Sequence, residues 1–361
     1  MKVIDNDGHI YESINYFCRI RKCSKTSLIR QFKKNGTYTN PRGFSAKPYG
    51  EGAIADTISN EDLEAKEEFE NFKAARTSEY RLFKIDQPTC KEGYRYAIAL
   101  FSDAHIEESV DADSVLGLNH YDTSVATERV STYFANLSAC LKKDCVDALY
   151  FASLGDTMSG YIHEHLMEEN GLTPPQATIL GQSLIVSGLR HIRQTLPSLK
   201  IYFIGISGNH SRTTKKMQNS NGFKLSYEWI MYQNIKQICD GMDIEFIIPD
   251  SELALVQTPD NKRYIFCHGY QVQSKGTGTV AGIYPALNRL AMKWQRTFQQ
   301  DKIFLGHYHT CVSIPAATVN GSIIGYNAFA LSNGMGYEEP AQMYEVFANG
   351  RKLLSREIYC K

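Results

Sequence analysis

Five short apolar runs, each stopped by a group of polar residues, constrain this chain more than any other feature. They are residues 94–101 (YRYAIALF), 148–153 (ALYFAS), 200–206 (KIYFIGI), 263–267 (RYIFC) and 302–305 (KIFL). Runs of this length and character mark strands. Amphipathic stretches lie between them at residues 124–143, 175–195 and 223–239, the second opened by a proline pair that suits a first helical turn. Strand, loop and helix in alternation predict an α/β layered fold. Beyond residue 305 the chain is richer in β-branched residues and glycine (SIPAATVNGSIIGYNAF), which predicts a hairpin around Asn320-Gly321.

The residues that stop the five runs are Asp103-Ala104-His105, Gly155-Asp156, Gly208-Asn209-His210, His268-Gly269 and Gly306-His307-Tyr308-His309. Loops beyond the carboxyl ends of strands in an open α/β sheet converge on one crevice, so these distant side chains are expected to meet. The spacing in Asp-x-His and His-x-His puts both side chains of a pair on one side of an extended segment, facing one metal centre. Carboxylate, imidazole and amide ligands suit Mn²⁺, Fe or Zn²⁺ and fit a calcium cage poorly. Taken singly, each motif has an ordinary account as a turn or a hydrogen-bonded histidine. All five in one chain, each after a strand-like run, point to a metal site.

Composition sets the outer limits. With 361 residues, 43% of them hydrophobic, the chain can bury a large core in one or two domains, which excludes disorder and a disulfide miniprotein. No apolar run reaches the roughly 18 residues of a membrane span, and MKVIDNDGHI lacks a signal-peptide profile, so a soluble, cytoplasmic protein is expected. The nine cysteines are scattered without a CxxC pair and are read as reduced thiols.

Equal numbers of basic and acidic residues, 39 each, hide an asymmetry. Residues 1–48 hold ten Lys/Arg and three Asp/Glu, a net of +7. Residues 60–75 (NEDLEAKEEFENFKAA) form an acidic, helix-prone stretch, and proline and glycine punctuate residues 40–52 between the two. The expected organisation is a basic module at residues 1–48, with two short helices around residues 22–25, an acidic helical linker at 49–80, and a body at 81–361.

The ordered blocks D-x-H, G-D, G-N-H, H and G-H-x-H resemble the signature of the calcineurin-like metallophosphoesterase superfamily, over residues from about 94 to the mid-330s. The resemblance implies a two-sheet α/β/β/α sandwich holding two divalent cations, Mn²⁺ with Fe or Zn as alternatives. By that likeness Asp103, His105, Asp156 and His309 hold one cation, and Asp156, as bridge, Asn209, His268 and His307 hold the other. It also implies in-line attack on phosphorus by a metal-bridging hydroxide, with His210 stabilising the transition state or protonating the leaving oxygen. The other role open to His210 is hydrogen-bond support of the ligands.

The blocks GDTMSGYIHEHL, GNHSR and GHYHT look closer to phage and prophage phosphoesterases and, more distantly, to SbcD-type DNA repair nucleases, which would place the protein in a bacterial host cytoplasm. Ser/Thr phosphatases of the superfamily carry an arginine in G-D-x-x-D-R-G, which is missing here. Arg212 is the candidate for gripping a phosphate oxygen, against a surface ion pair. His163 and His165 either line the crevice or start an exposed helix. Residues 269–282 (GYQVQSKGTGTVAG) form a substrate-facing loop or a solvent loop, and are not a P-loop. The basic amino-terminal module resembles helix-turn-helix modules of phage DNA enzymes and suggests nucleic acid, DNA first, as substrate and partner, against a merely solvated face. A DNA nuclease or phosphodiesterase is the leading expectation. A phosphomonoesterase or protein phosphatase, and a DNA-binding protein with a structural metal centre, stand beside it.

Overall fold

The computed structural model describes residues 2–5, 7, 9–11, 14–21, 25–35, 37–39, 45–48, 82–84, 93–162, 170–218, 220–272 and 283–361. The chain divides into two compact units, Met1–Tyr80 and Arg81–Lys361. The expected acidic helix of residues 60–75 lies outside the described residues, as do His163, His165 and residues 273–282.

In the first unit, β1 (Val3–Asp5) and β2 (Ile10–Tyr11) precede α1 (Ile14–Arg21) and α2 (Lys25–Asn35), followed by β3 (Tyr38–Thr39) and β4 (Ser45–Pro48). The strands form one antiparallel sheet in the order β2-β1-β4-β3. Ile14 and Phe17 on α1, and Leu28 and Phe32 on α2, repeat at the three- and four-residue spacing of a helix face and bury against Val3 and Tyr38. The unit is therefore not a purely helical module. Its strands are two to four residues long, too short to show alternation in the sequence.

The second unit begins with β5 (Leu82–Lys84) and β6 (Arg95–Phe101), then α3 (Thr123–Asp144), β7 (Ala148–Ser153), α4 (Pro174–Thr195) and β8 (Lys200–Gly205). After α5 (Tyr227–Ile238) come β9 (Ile244–Ile247), β10 (Leu253–Gln257) and β11 (Arg263–Cys267). Next are α6 (Tyr284–Phe298), β12 (Lys302–Leu305), β13 (Val312–Ser313), β14 (Ala317–Val319), the short α7 (Ala328–Ser332), and the hairpin of β15 (Ala341–Ala348) and β16 (Arg351–Tyr359). Two six-stranded mixed sheets result, in the orders β16-β15-β6-β7-β8-β9 and β13-β14-β12-β11-β10-β5.

Period-2 alternation assigns each strand's faces to different layers. Tyr96, Ile98 and Leu100 of β6 pack between the sheets with Val256, Phe266 and Phe304, whereas Ala97, Ala99 and Phe101 face the helix layer containing Tyr133, Leu137 and Leu189. On β11, Tyr264 and Phe266 point into the sandwich, and Ile265 and Cys267 pack against Leu287 and Ala291 of α6. This is the expected four-layered α/β/β/α arrangement. Helix ends are fixed locally: Asp122 caps α3 through the Val125 amide, and Thr173 with Gln176 forms a capping box on α4.

The expected hairpin around Asn320-Gly321 does not form. The antiparallel pair is β13 with β14, turning before residue 317, and Asn320 follows β14 fully buried. Its amide donates to Ser102 Oγ and Gln342 Oε1, both at 2.8 Å, and its carbonyl oxygen accepts the Met343 amide at 2.7 Å. An asparagine that satisfies this many buried groups serves as a junction between strands, which Asn-Gly chemistry alone does not reveal. Among the described residues no helix is long and apolar enough to cross a membrane.

Candidate metal centre

All five polar blocks leave the carboxyl ends of strands: β6, β7 and β8 from one sheet, β11 and β12 from the other. Backbone bonds stitch their loops together, with the Asp103 amide donating to the Gly155 carbonyl at 3.0 Å and the Gly306 amide to the His268 carbonyl at 2.7 Å. Two glycines make the approach possible. A methyl group on Gly155 would lie 2.3 Å from the Gly208 nitrogen, and one on Gly208 would lie 2.1 Å from Asp156 Oδ1. Five candidate ligands, Asp103, His105, Asp156, His307 and His309, hold positive φ values between 47° and 75°, so neither the Asp-x-His nor the His-x-His segment is extended as expected, and His307 and His309 turn to different ligand groups. Left-handed backbone costs non-glycine residues free energy, and such conformations concentrate where function requires them.

Of the three groups of potential ligand atoms among the described residues, two form here, each with its atoms within 4.8 Å: Asp103, His105 and His309, and Asp156, His268 and His307; the third, Asp5, Asp7 and His9, lies in the first unit. In the second, His268 Nε2 lies 2.8 Å from Asp156 Oδ2, 3.0 Å from Asn209 Oδ1 and 3.2 Å from His307 Nδ1. Asn209 thus joins that group. His268 Nδ1 donates to the Leu154 carbonyl at 2.7 Å, which leaves Nε2 as the ring nitrogen facing the cluster. The groups are electrostatically linked, since the Asp156 charge also acts on His105.

The residues fit a pair of cations. Nε2 of His105 is buried and has no hydrogen-bond partner among the described residues, while its Nδ1 is held 2.8 Å from Ser159 Oγ. Ser159 in turn donates to Glu108 Oε2 at 2.8 Å, and Asn327 donates to the other oxygen of Glu108 at 2.9 Å. With the hydroxyl proton on Glu108, Ser159 accepts the Nδ1 proton and leaves Nε2 with its lone pair toward the cluster. This is the tautomer a metal ligand needs.

The carboxylates, His105 and His307 are held in the ligating form, whereas the carboxylates draw protons to His268 and His309. Burial alone would raise both carboxyls, but His309 holds Asp103 below the usual carboxylate range and His268 and His210 hold Asp156 well below it. Burial, with His210 and His309 nearby, pushes His105 well down, and burial beside His268 lowers His307 to about 4. Burial also works against a proton on His268, yet Asp156 raises it to about 9.

His210 lies against the first group, its ring edge-on to His105 at 4.9 Å between centroids. Its amide donates to Asp156 Oδ1 at 2.8 Å and its Nδ1 sits 3.1 Å from the Ser159 carbonyl. Arg212 is half-buried, and its guanidinium donates to the carbonyls of Asn209 at 2.7 Å, Thr214 at 3.1 Å and Lys215 at 3.5 Å. It braces the Asn209 loop.

Sequence reading missed the carboxylates beneath the loops. Glu228 on α5, fully buried, accepts the Thr157 and Gly208 amides, both at 2.7 Å, and the Ser211 hydroxyl at 2.7 Å, so it ties the Gly-Asp loop to the Gly-Asn-His loop. Glu107 accepts the Gly160 amide at 2.8 Å, and burial raises its carboxyl to about 7.

No protein-family model matches the chain, and no curated protein matches it. Among solved structures it is similar to Vacuolar Protein Sorting 29 from Cryptosporidium parvum, at 12% identity and a TM-score of 0.31, covering 74% of this chain and 99% of that one. A 5'-nucleotidase from Candida albicans matches at 11% identity and 0.33, covering 69% of this chain and 47% of that one. Phosphopantetheinyl hydrolase from Mycobacterium tuberculosis matches at 10% identity and 0.26, covering 68% and 94%.

Proposed function

We propose that this chain is a hydrolase of phosphoesters that works with two divalent cations, Mn²⁺ first among them, and that its substrate is a phosphodiester, DNA above all. The observation that supports it most is the pair of adjoining ligand groups, with the unpartnered His105 Nε2 aimed into the first and Asp156 acting on both. Asp103, His105, Asp156 and His309 would hold one cation, and Asp156, Asn209, His268 and His307 the other. Bound there, the cations would supply Lewis acidity toward phosphoryl oxygens and lower the pKa of water.

The chain's own groups complete the reaction. Hydrolysis puts a water oxygen on phosphorus and breaks the bond to one ester oxygen, which needs a proton as it leaves. His210, whose Nδ1 lies 3.1 Å from the Ser159 carbonyl and whose ring packs edge-on to His105, would supply that proton or stabilise the transition state. Asn209 contributes a neutral amide, which limits repulsion of an anionic substrate. A diester is favoured because the Gly-Asp loop lacks an arginine, and three of the five N–H donors of Arg212 are turned to backbone carbonyls, so it offers a phosphate oxygen at most its two remaining donors and a weaker grip on a dianionic monoester. Exposed Lys215 and Lys216 on the same loop suit the further phosphates of a nucleic acid.

The test is metal analysis of the purified protein with parallel assays on bis-p-nitrophenyl phosphate, p-nitrophenyl phosphate and DNA in Mn²⁺. Diester turnover abolished by EDTA and by Asp156→Ala is the expected result. A metal-loaded protein inert on every phosphodiester defeats the proposal, and a strong preference for the monoester moves the substrate class.

A further inference from the structure

A cavity of about 470 Å³ opens beside His309, within the size range of small-molecule sites. Its lining sets the aromatic rings of Tyr308, Tyr326 and Tyr284 and the side chain of Met335 beside the polar Thr310, Ser322, Asn333 and Glu338. Two of these rings are fixed in place. Tyr308 donates its hydroxyl to the Val272 carbonyl at 2.6 Å, and Tyr326 donates to the Met335 carbonyl at 3.2 Å and meets Tyr337 edge-on at 5.9 Å. At the open side Tyr284 is 48% and Met335 41% exposed, large apolar groups left facing solvent next to a polar centre.

The charge around the cavity defines what enters it. No lysine or arginine is among the described residues that line it, and Glu338 is. That carboxylate accepts the Thr310 hydroxyl and, at 2.9 Å, the Cys311 amide, so it is fixed at the wall. Its charge disfavours a phosphate within the cavity itself, whereas a flat uncharged base gains stacking surface there while its phosphates stay outside. His309 belongs both to the cavity and to the first ligand group, so the cavity adjoins the metal centre and is within reach of an organic group attached to a phosphorus held there.

We infer that the cavity binds the nucleoside joined to the scissile phosphate, with its base against Tyr284, Tyr308 and Met335. This rests on the hydrolase proposal for its reaction, and adds a subsite that recognises a nucleobase by stacking. Sequence preference is expected to be weak, because every base offers a flat face.

Two measurements test it. Thymidine 5'-(p-nitrophenyl phosphate) and methyl p-nitrophenyl phosphate share a leaving group, so their kcat/KM ratio reports the nucleoside alone. A ratio of about 10 or more is expected, falling toward one in Tyr284→Ala and in Met335→Lys, both at exposed positions that spare the fold. The second measurement is titration of ethenoadenosine with metal-free protein, read by quenching of the probe's own fluorescence. Saturable quenching weakened about 10-fold by Met335→Lys supports the cavity even if no ester is hydrolysed. Diester hydrolysis with a ratio near one overturns the nucleoside site and leaves the hydrolase standing. A preference that survives both substitutions, or the absence of quenching, overturns the site as well.

Discussion

The hydroxyl of Ser159 lies 2.8 Å from Nδ1 of His105, so the orientation of a candidate metal ligand depends on a residue that is not itself a ligand. Glu108 fixes the direction of that hydroxyl from the other side. Partners of this kind contribute about 10- to 100-fold to metal affinity. Ser159→Ala is therefore expected to weaken Mn²⁺ binding by that factor while the far-ultraviolet circular dichroism stays unchanged. Calorimetric titration of the metal-free variant checks it, and unaltered affinity would show that His105 needs no such support.

Gly208 packs against Asp156 with no room for a methyl group. In Gly208→Ala the new carbon would meet both Oδ1 and the backbone nitrogen of Asp156, at 2.1 and 2.4 Å, so the two ligand loops must separate. A loss of about 1–3 kcal/mol is expected from overpacking, read as a lower urea midpoint, together with loss of metal retained through gel filtration. Retained metal at wild-type stoichiometry would contradict this geometry.

The contrast between these two residues shows what the sequence reveals. Gly208 stands inside a block that draws attention by itself, as do all seven candidate ligands, because each follows a strand whose apolar run is continuous. The apolar runs 148–153, 263–267 and 302–305 coincide end to end with β7, β11 and β12. Ser159, Glu108 and Glu228 were not singled out, since each acts through partners distant in sequence. Glu228 lies 71 residues from Thr157, and Ser159 lies 54 from His105. Periodicity and spacing report neighbours along the chain, whereas these bonds are created by the packing of α5 and of the loops after β6 and β7. The antiparallel sheet of the first unit escaped for another reason, the shortness of its strands.

Glu228 makes a distinct prediction, because it is a buried acceptor for two backbone amides and one hydroxyl. Removing it leaves those donors without a partner, at about 1–3 kcal/mol for each buried group left unsatisfied. Glu228→Ala is expected to unfold at clearly lower urea concentration, and Glu228→Gln, which keeps one acceptor oxygen, to fall between it and the wild type. Equal stability of the two variants would mean that the carboxylate does not hold the loops.

Lys302 of β12 and Glu345 of β15 form an ion pair that joins the two sheets, with Nζ 2.8 Å from both carboxylate oxygens and both residues nearly fully buried. Ser313 and Thr318 donate their hydroxyls to the same carboxylate at 2.6 and 2.8 Å. Burial alone would raise Glu345, but Lys302 and these hydroxyls outweigh it and hold the carboxyl below its ordinary value. Burial pulls Lys302 down to about 8 against the attraction of Glu345, so the ammonium persists at neutral pH. A carboxyl whose folded pKa is depressed stabilises the protein above its unfolded value, about 4.3, and that stabilisation is lost as pH falls through the folded one. Urea unfolding from pH 6 downward should therefore show a fall in stability whose slope lessens in Glu345→Gln. Lys302→Met, which strands a buried carboxylate, is expected to cost about 3–5 kcal/mol at pH 7, moderated by Lys352 at 3.4 Å. The double variant Lys302→Met/Glu345→Leu should recover much of that loss, because an apolar pair carries no desolvation cost. If the double variant is no more stable than Lys302→Met, the penalty comes from packing between the sheets and not from the unpaired charge.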